Sequence, residues 1–380
     1  LWNSGYTALS TANEALAAIK KMGDTQAMAP TKGEALLCRA YAAFTLANIF
    51  CMAYDPTTAG KELGLPYPYE PEKEVGAKYK RGTLKEFYDK INADIEAGLP
   101  LVSDNYEHPK YHFTRAAAYA FAAQFNLFYH NYDKAIAYAS RVLGTEPATK
   151  LRNWEAFYAL STNGQIAPND YIKSTNAANI LLQTVYSQAG LYAGPYNIAN
   201  KYNHGQLTSE NEDLQSQGPW GNSASFGYTV WSNNSVSKYF INKIPYAFEY
   251  SDIQTGTGYA HSQYSVFNTD ALLLMRAEAY ALKGDYTAAL ADINTELAAM
   301  SVGKFHVTLT DIQKFYNGIA YYTPTAPTPK KKLNTSFAIE AKKQEPLLQT
   351  ILQLRRILTM SEGQRWLDVK RYGIVIYRRR

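Results

Sequence analysis

Residues 114–147, TRAAAYAFAAQFNLFYHNYDKAIAYASRVLGTEP, constrain the fold more than any other stretch, because they read as a complete helix–turn–helix unit. Ala116, Ala117, Ala120 and Ala123 recur at spacings of three and four, which predicts a narrow face of small side chains that lets a second helix approach closely. Asn131-Tyr132-Asp133 breaks the run, Ala135, Ala139 and Val142 share one face of the second helix, and Gly144 and Pro147 stop it. A tetratricopeptide repeat wants a large aromatic, two small residues and a terminal proline at set positions. Here Tyr119, Ala123, Ala135 and Pro147 fill them.

One such pair cannot bury its apolar face alone, so neighbours are required. The clearest is 268–300, where Ala277, Tyr280 and Ala289 take equivalent positions and Gly284-Asp285-Tyr286 makes the turn. Helices over 33–52 and 83–98 form a third pair with its turn opened out, and the second of these starts with the capping box Thr83 and Glu86. An opening helix over 2–22 carries Leu9, Ala12, Leu16 and Ile19 on one side. A short helix over 310–318 and a last helix from about Glu345 follow. The expected fold class is mostly α: tetratricopeptide-like repeats in a helical scaffold, interrupted by a long loop-rich insertion that carries the binding site.

That insertion spans 150–267. Residues 174–209 hold Lys201 as their only Lys, Arg, Asp or Glu, and 214–237 hold none. Both are rich in Asn, Gln, Ser, Gly, Tyr and Trp, a composition opposite to that of disordered chains. The loop over 53–82, with Pro56, Pro66, Pro68 and Pro71 among Tyr67, Tyr69 and Tyr79, is long enough to expect a function. The chain holds 32 tyrosines, and tyrosine offers a flat apolar face with a polar tip. Aromatic faces cover sugar rings, and Asn and Gln amides both donate to and accept from hydroxyls. The expected ligand platform is therefore Trp220 and Trp231, joined by Tyr192, Tyr196 and Tyr67, with Asn222, Asn233 and Asn234 for hydroxyls.

Catalytic and metal chemistry find little support. His108 and His112 have i, i+4 spacing, but Pro109 between them argues against the aligning helix, and Glu210-Asn211-Glu212-Asp213 lacks the glycine and spacing of a calcium loop and reads as a solvated turn. There is no phosphate-cradling glycine loop, Gly-x-Ser-x-Gly elbow or Cys–His signature. Hence no catalytic residue, metal or cofactor is expected. Cys38 and Cys51 fall on one predicted helix about 20 Å apart, cannot pair, and read as buried thiols. A net charge of +5 with mixed signs gives no case for nucleic acid, and Lys330-Lys331-Lys332 and Arg378-Arg379-Arg380 read as solvated loop and tail.

The most specific stretch is Glu362-Gly363-Gln364-Arg365-Trp366-Leu367-Asp368-Val369-Lys370-Arg371. On a helix Asp368 lies three residues from both Arg365 and Arg371, so one carboxylate is placed to bridge two guanidiniums, with Trp366 and Val369 docking on the body. These residues resemble the closing signature of the SusD/RagB family, nutrient-binding outer-membrane lipoproteins of Bacteroidetes, Glu-Gly-x-Arg-Trp-x-Asp-x-x-Arg. Glu34, Arg39, Ala40 and Tyr41 resemble its early helix; Leu63-Gly64-Leu65-Pro66, its Leu-Gly-Val-Pro; Phe87-Tyr88, Ile91, Asp94 and Ile95, its next helix; and 274–280, LMRAEAY, its Leu-x-x-Ala-Glu-Ala helix. The chain departs at Leu354 and Leu358, where the family usually repeats glutamate.

The resemblance implies one domain over 1–380, made of N-terminal repeats (1–149), the insertion (150–267) and a C-terminal repeat with its closing helix (268–380). It also implies a surface-exposed outer-membrane lipoprotein that captures an oligosaccharide or polysaccharide and passes it to a SusC-like TonB-dependent transporter. The lipid-anchor cysteine is not in the sequence, which starts at Leu1, and is expected upstream with any targeting signal. Peptide uptake, a tetratricopeptide scaffold and a glycoside hydrolase stand as alternatives.

Overall fold

Thr83 shows how the sequence sets the first helices. Its hydroxyl accepts from the Glu86 amide while the Glu86 carboxylate accepts from the Thr83 amide, satisfying two donors that a helix start leaves open. The computed structural model of the chain describes all residues except 75, 162–163, 193–202, 227–230, 234–236 and 378–380, together with the side chains of 224–225 and 231–233. The described residues form two compact units, 1–142 and 143–380.

The first unit contains α1 (Trp2–Lys21), α2 (Ala29–Phe50), α3 (Leu84–Gly98), α4 (Arg115–Phe128) and all but the last residue of α5 (Tyr132–Leu143). Helix α2 packs against α1, α3 and α4. Leu9, Ala12 and Ile19 of α1 are buried as the spacing predicts, whereas Leu16 is only half-buried. Phe44 anchors the core by meeting Phe121, Phe125 and Phe128 of α4 and Tyr88 of α3 edge-on, with ring centroids 5.3–6.3 Å apart. The expected alanine face of α4 is real at Ala117, Ala120 and Ala123, but Ala116 is exposed. The α4–α5 pair is closed outside by Arg141, which donates to the Tyr119 hydroxyl at 2.5 Å. Cys51 is buried just past α2, while Cys38 is exposed, which corrects the expectation of two buried thiols.

The second unit begins with α6 (Trp154–Tyr158), α7 (Ile166–Tyr171) and β1 (Asn179–Tyr186), then α8 (Ala189–Tyr192), β2 (His204–Gly205), α9 (Gln206–Glu212), β3 (Gln217–Gly218) and β4 (Gly221–Asn222). There follow β5 (Trp231–Asn233), β6 (Lys238–Phe240), β7 (Ala247–Asp252), β8 (Thr257–Asn268), α10 (Thr269–Lys283), α11 (Tyr286–Met300), α12 (Leu309–Gly318), α13 (Gln344–Leu358) and α14 (Arg365–Arg371). The longest strand, β8, pairs antiparallel with both β1 and β7, in the order β1-β8-β7. The insertion is thus less loop-like than its composition implied. Strand β8 feeds α10 through Asn268, whose side chain accepts from the Ala271 amide at 2.8 Å.

The α10–α11 turn follows the sequence closely. Gly284 adopts φ +87°, a conformation that glycine takes without penalty, and Asp285 then caps α11 through the Ala288 amide. Ile293 and Leu297 pack with Leu347, Ile351, Leu354 and Leu358 in a core to which the insertion adds Trp154, Phe157, Tyr171, Leu214, Trp220 and Phe226.

Candidate functional site

Two distant landmarks of the sequence meet in residues 1–142. Arg39 on α2 is buried and donates from Nε and Nη2 to the two carboxylate oxygens of Asp94 on α3, at 2.6 and 2.7 Å. The Tyr67 hydroxyl donates to the same carboxylate at 2.5 Å, and burial, followed by the charge of Asp94, pushes this phenol well above its ordinary value and keeps it a donor. Arg39 Nη1 donates to Asn13 Oδ1 at 2.9 Å, and Asn13 Nδ2 donates to the Pro68 carbonyl at 3.0 Å. One guanidinium therefore ties α1, α2, α3 and the proline-rich loop together. Tyr6 adds a hydrogen bond from its hydroxyl to the Pro66 carbonyl, at 3.0 Å.

Pinned in this way, the loop and α1 enclose a groove of about 460 Å³. Trp2, Tyr6 and Tyr79 supply its rings, and Asn3, Thr7, Ser10, Glu70 and Glu72 bring amide, hydroxyl and carboxylate groups. The rings of Trp2 and Tyr79 are open, each 43% exposed. Trp2 is buttressed by Tyr6 and Phe50, with centroids 4.8 and 5.0 Å away. A second hollow of about 330 Å³ shares Pro68, Glu70, Glu72 and Tyr79 and continues past Tyr69 and Lys73, so the surface is elongated. Aromatic faces beside convergent polar groups suit a ligand with apolar ring faces and an equatorial belt of hydroxyls. The sequence carried a signal for this groove: Trp2, Tyr6, Leu9 and Asn13 recur at helical spacing, facing a loop already suspected of function.

The residues expected to form the ligand platform are not all available for one. Tyr67 is 6% exposed, with its hydroxyl held by Asp94. Trp220 is 7% exposed, packs on Phe226 at 5.3 Å and donates from Nε1 to Ser223 Oγ at 3.1 Å, so it serves the core of the second unit. The glycine that lets a ring approach is Gly218, and the ring is Trp220 itself: a Cβ there would fall 2.4 Å from the indole. Tyr192 ends α8 half-buried, and Asn222 is exposed on β4. Trp231 and Asn233 lie on β5, opposite Phe240 and Lys238 of β6; their side chains are outside the described residues, as are Tyr196 and Asn234 entirely.

The closing signature is a structural clamp with different pairings from those expected. Glu362 receives the buried Lys243 ammonium at 2.7 Å and the Tyr171 hydroxyl at 2.9 Å, locking the insertion to the end of α13. Asp368 lies 3.4 Å from Arg355 Nε and 3.7 Å from Arg365 Nη1. Arg371 turns away to Glu278 on α10, which it meets at 2.6 Å beside Arg355 and Tyr372. A fully buried carboxylate on a neighbouring helix offers Arg371 a direct charge-assisted bond that the i, i+3 partner does not. Trp366 stays 49% exposed, so it is not buried on the body, whereas Val369 packs against the core. Two other surface readings also fail: Lys331 is buried against Glu212, and Glu212 and Asp213 are themselves buried.

Comparison with known proteins gives a consistent result. A family model described as starch-binding and associating with the outer membrane matches residues 1–127, and the SusD family model matches residues 181–377. No curated protein matches the sequence. Among solved structures, a SusD superfamily protein from Bacteroides thetaiotaomicron is 18% identical with a TM-score of 0.62, covering 100% of this chain and 76% of its own. A SusD-like carbohydrate binding protein from Bacteroides vulgatus is 17% identical with a TM-score of 0.61, covering 97% and 69%. A laminarin binding SusD-like protein is 18% identical with a TM-score of 0.58, covering 98% and 77%. At these identities the structural likeness speaks for the fold.

Proposed function

The chain belongs to the SusD family, and from that premise we propose that it is a non-catalytic glycan-binding protein of the outer membrane, which captures an oligosaccharide or polysaccharide and delivers it to a SusC-like TonB-dependent transporter. The observation that carries the binding half is the groove of Trp2, Tyr6 and Tyr79, whose open rings stand among amide, hydroxyl and carboxylate groups. Its continuation past Tyr69 fits a chain of sugars better than a single ring. Burial removes Trp220 and Tyr67 from direct contact, so Trp231, Tyr192, Tyr196, Asn222, Asn233 and Asn234 are proposed as a separate, secondary contact for a long glycan.

Calorimetric titration with laminarihexaose and maltoheptaose tests the reading. Trp2→Ala weakens binding of the preferred glycan about 30-fold, roughly 2 kcal/mol for an aromatic hot spot, with little change in Tm because the ring is half open. Unchanged affinity in Trp2→Ala together with lost affinity in Trp231→Ala would move the site to the insertion. Release of shorter sugars on prolonged incubation would instead favour a hydrolase. Co-purification with a co-expressed SusC-like transporter tests the delivery half.

A further inference from the structure

A separate cavity, of about 350 Å³, lies within residues 143–380, and its wall is unusual. Lys331, Arg356 and Arg365 line it with Glu212 as the one carboxylate, and Tyr322, Tyr377, Val369, Ile374 and Val375 complete it. Glu212 is already engaged by two cations, Lys331 at 2.5 Å and Arg356 at 3.0 Å. Behind the wall, Asp213 accepts from His204 at 2.9 Å and faces Arg356 at 3.3 Å. Lys331 also lies over the Tyr322 ring, 3.4 Å from its centroid.

Arg365 is different. Its Nη1 atom is buried, has no hydrogen-bond partner among the described residues, and comes no nearer than 3.7 Å to Asp368 Oδ2. The ion pairs fall into two groups: Lys331 and Arg356 are matched by Glu212 and Asp213, whereas Arg355, Arg365 and Arg371 share only Glu278 and Asp368, so the excess cation lies in the group that contains Arg365. Burial, then the neighbouring Arg356, holds the Lys331 ammonium down to about 7 and the Arg365 guanidinium down to about 10. A cationic donor atom buried without a partner is costly, and that cost is relieved when an anion enters.

We propose that this cavity binds the carboxylate of an acidic sugar residue, with Arg365 as the anchoring donor. One missing negative charge calls for a monoanion, and a carboxylate is one at every pH near neutrality. The apolar and aromatic wall of Val369, Ile374, Tyr322 and Tyr377 supplies a surface for the face of a ring. The volume falls at the small end of ligand pockets, about 300–1,000 Å³, and fits a single residue rather than a chain. This site lies in a different unit from the neutral-sugar groove, so either can fail without the other.

The test is titration at pH 6 with D-glucuronate, D-glucose, sodium acetate and sodium sulfate. Glucuronate should bind at least tenfold more tightly than acetate or sulfate. Arg365→Gln should weaken glucuronate at least tenfold while leaving Tm equal or higher and leaving the affinity for neutral glycan, which Trp2→Ala weakens, unchanged. Thr208→Trp, at the half-buried rim of the cavity, should abolish glucuronate binding by filling it and serves if Arg365→Gln does not fold. Acetate or sulfate binding as tightly as glucuronate would overturn the sugar-acid assignment. Glucuronate affinity that is absent, or indifferent to both variants, would overturn the site.

Discussion

Glu278 is fully buried between Arg355, Arg371 and Tyr372. Burial works to raise its pKa, but the two guanidiniums and the phenol outweigh it and hold the carboxyl at about 2. A depressed acid contributes stability that is present above its unfolded value near 4.5 and lost as pH falls towards 2, about 3 kcal/mol in all. Glu278→Gln should therefore lower Tm at pH 7 and flatten its dependence on pH between about 4.5 and 2; an unchanged acid limb in circular dichroism melts would refute the linkage. Glu296 is the opposite case. It is fully buried, neither carboxylate oxygen has a hydrogen-bond partner among the described residues, and burial, then the nearby Asp270, raises it well above its ordinary value. A raised acid costs stability as pH climbs through the range where only the unfolded form ionises, about 1.4 kcal/mol per pH unit. Glu296→Gln should gain Tm relative to the parent as pH rises from 4.5 to 7, and a constant difference would count against it. Glu278 belonged to a recognisable run, LMRAEAY, so its importance was legible, but its partners were not. Arg355 and Arg371 lie 77 and 93 residues away, and only tertiary packing selects them over nearer cations such as Arg276 and Lys283.

Among elements, α2 and α3 cross where both backbones are bare. A Cβ added to Gly98 would lie 2.9 Å from the Gly33 carbonyl oxygen, and one added to Gly33 would lie 3.0 Å from the Gly98 oxygen. Backbone atoms in two helices cannot yield as a side chain can, so Gly98→Ala should destabilise by about 1–3 kcal/mol despite alanine's better helix propensity. Urea melts will show it, and a stabilised variant would mean that the helices separate freely. Helices were the legible elements because caps and periodicity are local: the Thr83 box, the Gly284 turn and α12 fall within a residue or two of expectation. The strands escaped because their evidence is not local. Residues 179–186 begin with four buried positions and turn exposed at their far end, so no clean alternation marks the strand, and β8 lies more than 70 residues away in the chain. Low charge and many aromatics were read as a ligand platform, yet much of that signal belongs to the core that Trp154, Phe157 and Trp220 build. The groove was missed because its two sides, α1 and the loop that holds Tyr79, are far apart in the chain, and only the fold brings Trp2 and Tyr79 to one surface.

For the whole molecule, the open question of physics is whether 1–142 and 143–380 melt as one. The boundary between them falls at the last residue of α5 (Tyr132–Leu143), where Val142 and Leu143 are both buried, one residue before a largely exposed stretch over 144–150. A domain boundary normally lies in an exposed, flexible segment that few contacts cross. One helix ending at the division means that uncoupled melting would have to fray a buried turn. We therefore expect a single cooperative domain over 1–380. Phe121→Ala, in the core of the first unit, should cost about 3–5 kcal/mol and lower the temperature of one common calorimetric peak. Near-ultraviolet and far-ultraviolet melts should shift together by the same amount. Two resolved peaks, of which Phe121→Ala moves only one, would show that the repeats of the two units fold as separate domains.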